Sequence, residues 1–286
     1  MANAILAYGN QIDGATLTGG SWVSTLPLTN LKDRRLGKLA RSSDALVAST
    51  TFDIDLGATR LMRVFALCGH NFSTGSTRRF RFSTVSDFST VVVDTGWVDV
   101  WPEVYPFGSL PWGSPSWWSG RYSEEEVAGY NASTVHIFDQ STNARYVRVE
   151  INDEANVAGY VQLARVFVGD GWQPTRNMTY AGASIGWLDR TGVQEARSGA
   201  EYFDIQRMPR IARFDLAAMS ESDAMATAFD IQRAMGAAGE MFFIWDPDDT
   251  AHALRRQFLC RLRGVSPITN PGPDRWSAPW EVKELL

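Results

Sequence analysis

Short runs of alternating apolar and polar residues, each closed by a turn, recur along this chain and limit it to an antiparallel β architecture. In Thr50–Gly57, "TTFDIDLG", Phe52, Ile54 and Leu56 share one side before Gly57 stops the run. "LMRVFALCGHNF" places Met62, Val64, Ala66 and Cys68 on one face, with Leu61, Phe65 and Leu67 on the other. Phe80 and Phe82 alternate in "RRFRFST", and "STVVVDTGWVDV" is a β-branched run. Later, "ARYVRVEIND" carries Val147, Val149 and Ile151, and "YVQLARVFVG" carries Val161, Leu163, Val166 and Val168. Many short strands divided by Gly, Ser, Asn and Asp predict a β-sandwich.

The pattern changes beyond "GDGWQPTRN" at 169–177, which reads as a boundary. Strands are expected at Tyr202–Gln206 and Ile211–Leu216. A helix follows: Ser220 and Asp223 form a variant capping box, and Ala224, Ala228, Ile231 and Met235 make one apolar stripe. Gly236 and Gly239 end it. "EMFFIWDPDD" reads as an apolar strand stopped at Asp-Pro. "RRQFLCRLRGV" alternates Phe258, Cys260 and Leu262 against Gln257, Arg261 and Arg263, and "WSAPWEVKELL" closes the chain. The expected fold is mainly β: an N-terminal arm at 1–20, a jelly-roll sandwich at 21–170, and a small sheet with one packed helix at 171–286.

Composition narrows the function classes. The 286 residues are 44% hydrophobic and 21% charged, values of a globular protein. A net charge of −5 argues against a general nucleic-acid binder. No run of about 18 apolar residues is present, so no membrane span is expected. The N-terminus "MANAILAYGNQ" lacks the basic start and apolar core of a secretory signal, which predicts folding in a cytoplasm. Cys68 and Cys260 are far apart in strand-like runs and read as reduced, buried thiols.

No catalytic set emerges. His70, His136 and His252 show no metal-ligand spacing, and the cysteines stand singly. His70 suits a turn-capping role. Nucleophile-elbow, phosphate-loop and dinucleotide motifs are missing. Glu124–Glu126 and the acids Asp246, Asp248 and Asp249 read as solvated loops or turns. The chain is therefore expected not to be an enzyme.

The stretch "WPEVYPFGSLPWGSPSWW", residues 101–118, holds four tryptophans and four prolines. Trp97 stands just upstream, and no Lys or Arg occurs from 82 to 120. Five indoles left in water would expose roughly 750 Å², more than a monomer's usual apolar patch. Three readings compete: a lid over the chain's own core, a platform for a sugar ring, or a contact with another protein. Depleted charge and enriched aromatics fit the last.

Two resemblances add expectations. The order "LPLTNLKD", "FDIDLG", "RVFALCGHNF", "ARYVRVEI", "GYVQLARVFVG" resembles discoidin-like domains, the coagulation-factor C-type, galactose-binding-like jelly rolls, over roughly residues 22–170. That resemblance implies loops at one end that bind glycan or phospholipid. It also implies a structural calcium, with Asp33, Asp55 and Asp153 as candidate ligands; no other cofactor or metal is expected. The loop at 97–135 is long for that family. The order "ARFDL", helix, "FFIWDPDD", "FLCRLRGV", "WEVKEL" resembles the ring-forming domain of phage tail tube, distal-tail and baseplate proteins. Together they imply a virion structural protein at the tip of a long phage tail, a homo-oligomeric ring, a hexamer in the first instance, between the tube and receptor-binding proteins. Interface residues are then expected at Trp97, Trp101, Trp112, Trp117, Trp118, Phe242, Phe243, Trp245, Trp276 and Trp280, with the ring contact on the strands 241–245 and 276–286. The alternative is a carbohydrate-binding module that attaches the particle to host glycan.

Overall fold

The computed structural model describes residues 2–286, and they form two compact units. The first runs to Gln173 and also takes in Phe242–Phe258; the second holds Pro174–Met241 and Leu259–Leu286. The architecture is mainly β, as the alternation requires.

In the first unit the strands are β1 (Ile5–Tyr8), β2 (Thr16–Thr18), β3 (Ala40–Arg41), β4 (Phe52–Cys68), β5 (Thr77–Ser83), β6 (Val91–Asp94), β7 (Val98–Asp99), β8 (Ser133–Asn152), β9 (Gln162–Leu163) and β10 (Arg165–Trp172). They join antiparallel in the order β1-β10-β4-β8-β5-β6, with β2 added to β4 and β7 to β5. β3 and β9 make a small separate pair. The 17 residues of β4 and the 20 of β8 pair along most of their length. The middle of this ribbon, around 57–61, is exposed, whereas both ends of β4 are buried. The ribbon therefore gives its two ends to two faces of one core. Phe65 near one end meets Phe80 and Phe82 of β5 edge-on, with centroids 4.8 and 5.5 Å apart. β4 and β5 are not hydrogen-bonded neighbours, so these rings interlock across the layers. Such pairs add about 0.5–1.5 kcal/mol each beyond the area they bury.

One face assignment changes. The alternation places Met62 with Val64, Ala66 and Cys68, but Met62 packs in the cluster that holds Phe65 and Leu67. The β4–β8 register shifts between Met62 and Val64. An irregularity of one residue moves side chains to the opposite face. Val64, Ala66 and Cys68 are also buried, so this half of β4 is covered on both sides. On β10, next to it, Phe167 meets Phe242 at 5.8 Å, which brings the returning segment 242–258 onto the unit.

The division into units also differs from the expected arm and boundary. Residues 5–18 are integral, because β1 pairs with β10 and β2 with β4. Segment 242–258 belongs with the first unit because Leu254 enters its core, Tyr122 donates its hydroxyl hydrogen to the Ala251 carbonyl, and Arg255 donates to Tyr122 Oη at 3.0 Å.

Two buried arginines stand in the first unit that alternation does not announce. Arg165 is fully buried; it pairs with Asp13 and donates to the Leu31 carbonyl at 3.3 Å. Arg78 is buried as well, donating to Thr134 Oγ1 at 2.5 Å and to the Val135 carbonyl at 2.6 Å.

The second unit contains β11 (Ser184–Trp187), β12 (Gly192–Glu195), β13 (Glu201–Asp204) and β14 (Arg210–Met219). A π-wound segment Ser222–Ala228 then runs into the α-helix Phe229–Met235. After β15 (Met241–Ile244), which flanks β1, come β16 (Gln257–Leu262), β17 (Thr269–Gly272) and β18 (Arg275–Glu284). The sheet order is β11-β14-β18-β16, with β17 also on β18. β14 buries alternate residues Arg210, Ala212, Phe214 and Leu216. The helix buries Ala224, Ala228 and Ile231, three of the four expected stripe positions, and Ser220 Oγ accepts from the Asp223 amide at 3.0 Å. Arg210 and Glu284 form a buried pair, with the Arg210 amide also donating to the carboxylate at 2.8 Å.

The Arg165→Met variant is expected to lose about 1–3 kcal/mol, because the buried Leu31 carbonyl loses its donor, while Asp13 is part-exposed and keeps Arg34. Denaturant unfolding measures this; a loss below about 1 kcal/mol would show that the pair does not anchor β10.

Candidate functional site

The loops at one end of the first unit gather chemistry. After β4 the chain turns at Gly69, whose φ is +64° and where a Cβ would stand 2.6 Å from the Ala164 Cβ. Only glycine suits both the conformation and the space. His70 follows, and its Nδ1 accepts from the Phe72 amide at 3.3 Å, the turn-capping role its position predicts. The imidazole stacks on Phe72 at 4.2 Å and stands edge-on to Trp101 at 5.5 Å. Trp101 is buried and donates from its indole to the Phe72 carbonyl at 3.3 Å.

These residues line a cleft of about 230 Å³ with Asn71, Ser73, Thr74, Glu124 and Asn156. Its polar groups are fixed from behind by Asp153, which is buried after β8. That carboxylate accepts from the Ser73 amide at 3.0 Å, from the Ser73 hydroxyl, and from Asn156 Nδ2 at 2.6 Å. Asn156 also donates to the Asn71 carbonyl at 3.0 Å, and Asn71 Oδ1 accepts from the Gln162 amide at 2.7 Å. The result is a rigid polar wall beside an aromatic floor, an arrangement suited to a hydroxylated ring.

The tryptophan loop rises from the same end. The Val104 and Tyr105 amides both donate to the Gly120 carbonyl, at 2.7 and 2.9 Å, and close its neck. Gly120 has φ +61°, and a Cβ there would stand 2.9 Å from the Tyr105 carbonyl oxygen. Arg121 ties the neck to the cleft rim by donating to the Thr74 carbonyl at 3.0 Å. At the tip, Trp112 meets Trp117 at 5.2 Å and Trp118 at 5.9 Å, with Phe107 against Trp117 at 6.1 Å. Trp112, Trp118 and Phe107 are 78%, 81% and 88% exposed. The indoles cover one another's edges and leave the outer faces to solvent.

The ten residues expected at an interface are therefore scattered. Trp97, Trp112 and Trp118 are exposed, and Trp117 is half-buried. Trp101, Phe242, Phe243 and Trp280 are buried within the chain, and Trp245 and Trp276 are partly buried. Of the strands expected at the ring contact, β15 is buried at all four positions, and β18 lies between β14 and β16.

The acids behave locally. Glu124–Glu126 is the first turn of a short helix, not a plain loop. Glu126 accepts from the Ser123 amide at 2.9 Å, while Ser123 Oγ accepts from the Glu126 amide at 3.3 Å. The spacing Ser123-x-x-Glu126 is a sequence signal for this capping box. Asp246 makes the expected turn, accepting from the Asp248 amide at 3.1 Å. Of the calcium candidates, Asp33 is held by Arg35 and Lys38, Asp55 by Arg145, and Asp153 by the donors described above. Among the described residues no group of three or more His, Cys, Asp or Glu side chains gathers to hold a metal, and no helix is long and apolar enough to cross a membrane.

Burial holds the His70 imidazole down to about 3 and His136 to about 4, with the Arg78 guanidinium acting in the same direction on both. The Nε2 atoms of both are enclosed without a hydrogen-bond partner among the described residues. Unfolded imidazoles take up protons below about pH 6.5 while these stay neutral, so stability falls as pH drops from there toward 4. Each contributes a slope of about 1.4 kcal/mol per pH unit. His136→Phe, which sits between Phe82 and Phe138, is expected to remove one such increment from the pH 4.5–6 slope. Urea titrations across that window measure it, and an unchanged slope refutes the assignment.

No protein-family model matches the sequence, and no curated protein matches it. Solved structures similar to the chain include carbohydrate-binding modules and, over a small part of their own length, glycoside hydrolases. One is a family 32 module from C. perfringens NanJ in complex with galactose, 15% identical, covering 57% of this chain and 98% of that one at a TM-score of 0.37. Another is a Streptococcus pneumoniae fucose-binding module, 14% identical over 57% of this chain and 95% of that one, TM-score 0.37. A third is the family 32 module of AlyQ in complex with 4,5-unsaturated mannuronic acid, 16% identical over 57% of this chain and 96% of that one, TM-score 0.34.

Proposed function

We propose that the chain is a non-catalytic binding protein whose first unit takes a glycan at its loop end. The observation that carries this reading is the exposed cluster of Trp112, Trp118 and Phe107 on the same loop system as a polar cleft. A sugar presents an apolar face of C–H groups and a rim of hydroxyls. Indole faces stack on the first, and fixed amide and hydroxyl groups bond the second. Ser73 and Asn156 are held by Asp153, and Asn71 by Tyr160 and the Gln162 amide, before any ligand arrives, so little side-chain entropy is lost on binding. The loop neck at Gly120 holds the aromatic platform in the same way.

A second reading keeps the chain in the tip of a long phage tail, as an assembled structural component that presents the glycan-binding loops outward. The observation favouring assembly is the run of exposed apolar side chains on β12, β13 and the residues after them in the second unit. Electron microscopy of the purified chain with tail proteins separates the two: ring particles support the second reading.

Trp112→Ala and Trp118→Ala are each expected to weaken glycan binding about ten-fold or more while leaving the melting temperature unchanged, since both side chains are already in water. A glycan array followed by calorimetry on the best ligand measures this. Binding that survives the double variant, or no glycan retained by the wild-type chain, refutes the loop-end site.

A further inference from the structure

The two-stranded ribbon of β12 and β13 is separate from the second unit's sheet. All eight of its strand residues are exposed, and the exposure continues through Met208. Tyr202, Phe203 and Ile205 are 66%, 58% and 82% exposed. An isolated two-stranded ribbon is marginal in water, and an apolar open edge is a template for another strand. β13 has β12 on one side and, among the described residues, no strand on the other.

Its charges are unbalanced in a specific way. Glu195 and Glu201 stand directly opposite each other, on the face that also pairs Val193 with Phe203. Like charges in that position are destabilising. Neither glutamate has an ion-pair partner among the described residues, and neither does Arg207, six positions along from Glu201.

We propose that β13 pairs antiparallel with β13 of a second copy about a two-fold axis through Asp204. The run 201–207, Glu-Tyr-Phe-Asp-Ile-Gln-Arg, is chemically self-complementary in that register. Glu201 faces Arg207 of the other copy, Tyr202 faces Gln206, and Phe203 faces Ile205, each pair occurring twice. Glu201, Phe203, Ile205 and Arg207 alternate onto one face, so the arginine arrives beside the Glu195–Glu201 pair and neutralises it. The two ribbons become one four-stranded sheet with an apolar stripe flanked by ion pairs. Strand geometry ends at Asp204 in the single chain and extends to Arg207 in the pair; Pro209 stops it there. The free edge of β12 has no such symmetry, since its run 191–195 places Thr191 against Glu195 and Gly192 against Gln194 about Val193. The register also carries one defect, Asp204 against its own copy, which predicts that neutralising it helps. The isologous geometry gives a closed dimer rather than an open chain.

Analytical ultracentrifugation of the full chain tests this. Wild type is expected to show a concentration-dependent monomer–dimer equilibrium. Glu201→Arg and Arg207→Glu are each expected to weaken it about ten-fold or more, because each reversal acts at two symmetric sites. Mixing the two variants, or combining them in one chain, restores dimerisation, and Asp204→Asn strengthens it. All these positions are exposed, so circular dichroism should be unchanged. A chain that stays monomeric up to about 0.5 mM, a concentration at which even a weak sub-millimolar dimer is populated, overturns the proposal. So does a dimer indifferent to the reversals, or one whose variants are not rescued by mixing.

Discussion

Backbone pairing between β4 and β8 is the constraint on which the first unit rests. Two strands of 17 and 20 residues are far longer than the five or six usual in a sheet. A straight ribbon of that length would leave much of its apolar surface in water. Register shifts after Asp55 and after Met62 break it into two limbs. Each limb then recruits its own neighbours: β2 and β5 on one, β10 on the other. The limbs face one another through Phe65, Phe80 and Phe82, so a single pair of strands builds both layers of the core.

That scaffold explains where polarity is tolerated. Arg165 lies at the start of β10, where its guanidinium reaches Asp13 and the Leu31 carbonyl, and so fastens the early turns to the sheet. Asp153 does the same at the end of β8, but for the cleft: it spends its lone pairs on Ser73 and Asn156, which line the opening. The buried charge in one place secures architecture, and in the other it fixes groups that face a ligand. The loop above needs no buried charge. Its neck is closed by backbone hydrogen bonds to Gly120, and its tryptophans pack mainly on one another.

The second unit distributes its apolar residues differently. Its sheet and helix bury theirs in the ordinary alternating and helical patterns, and the Arg210–Glu284 pair is sealed within. The ribbon of β12 and β13 buries almost nothing. Phe203 and Ile205 are thus apolar residues without a core in their own chain, and that is why surface at 201–207 has to be explained by something outside it.

The sequence by itself determined the β class, most strand positions, the helix ending at Gly236 and the turn roles of His70 and Asp246, because these depend on neighbours two to four residues away. It also marked the tryptophan loop as surface in need of an explanation. The Ser123-x-x-Glu126 capping box was legible too, hidden by reading the acids only as charge. Tertiary structure alone decided the rest. Met62 changed faces through a bulge that no periodicity announces. Phe242, Phe243 and Trp280 proved to be core because strands distant in sequence cover them, and residues 242–258 returned to the first unit through contacts with Tyr122. Asp153, Ser73 and Asn156 became one wall of a cleft only when β4 and β8 brought their loops together. Local pattern records which way a side chain points; what it meets there is set by residues far along the chain.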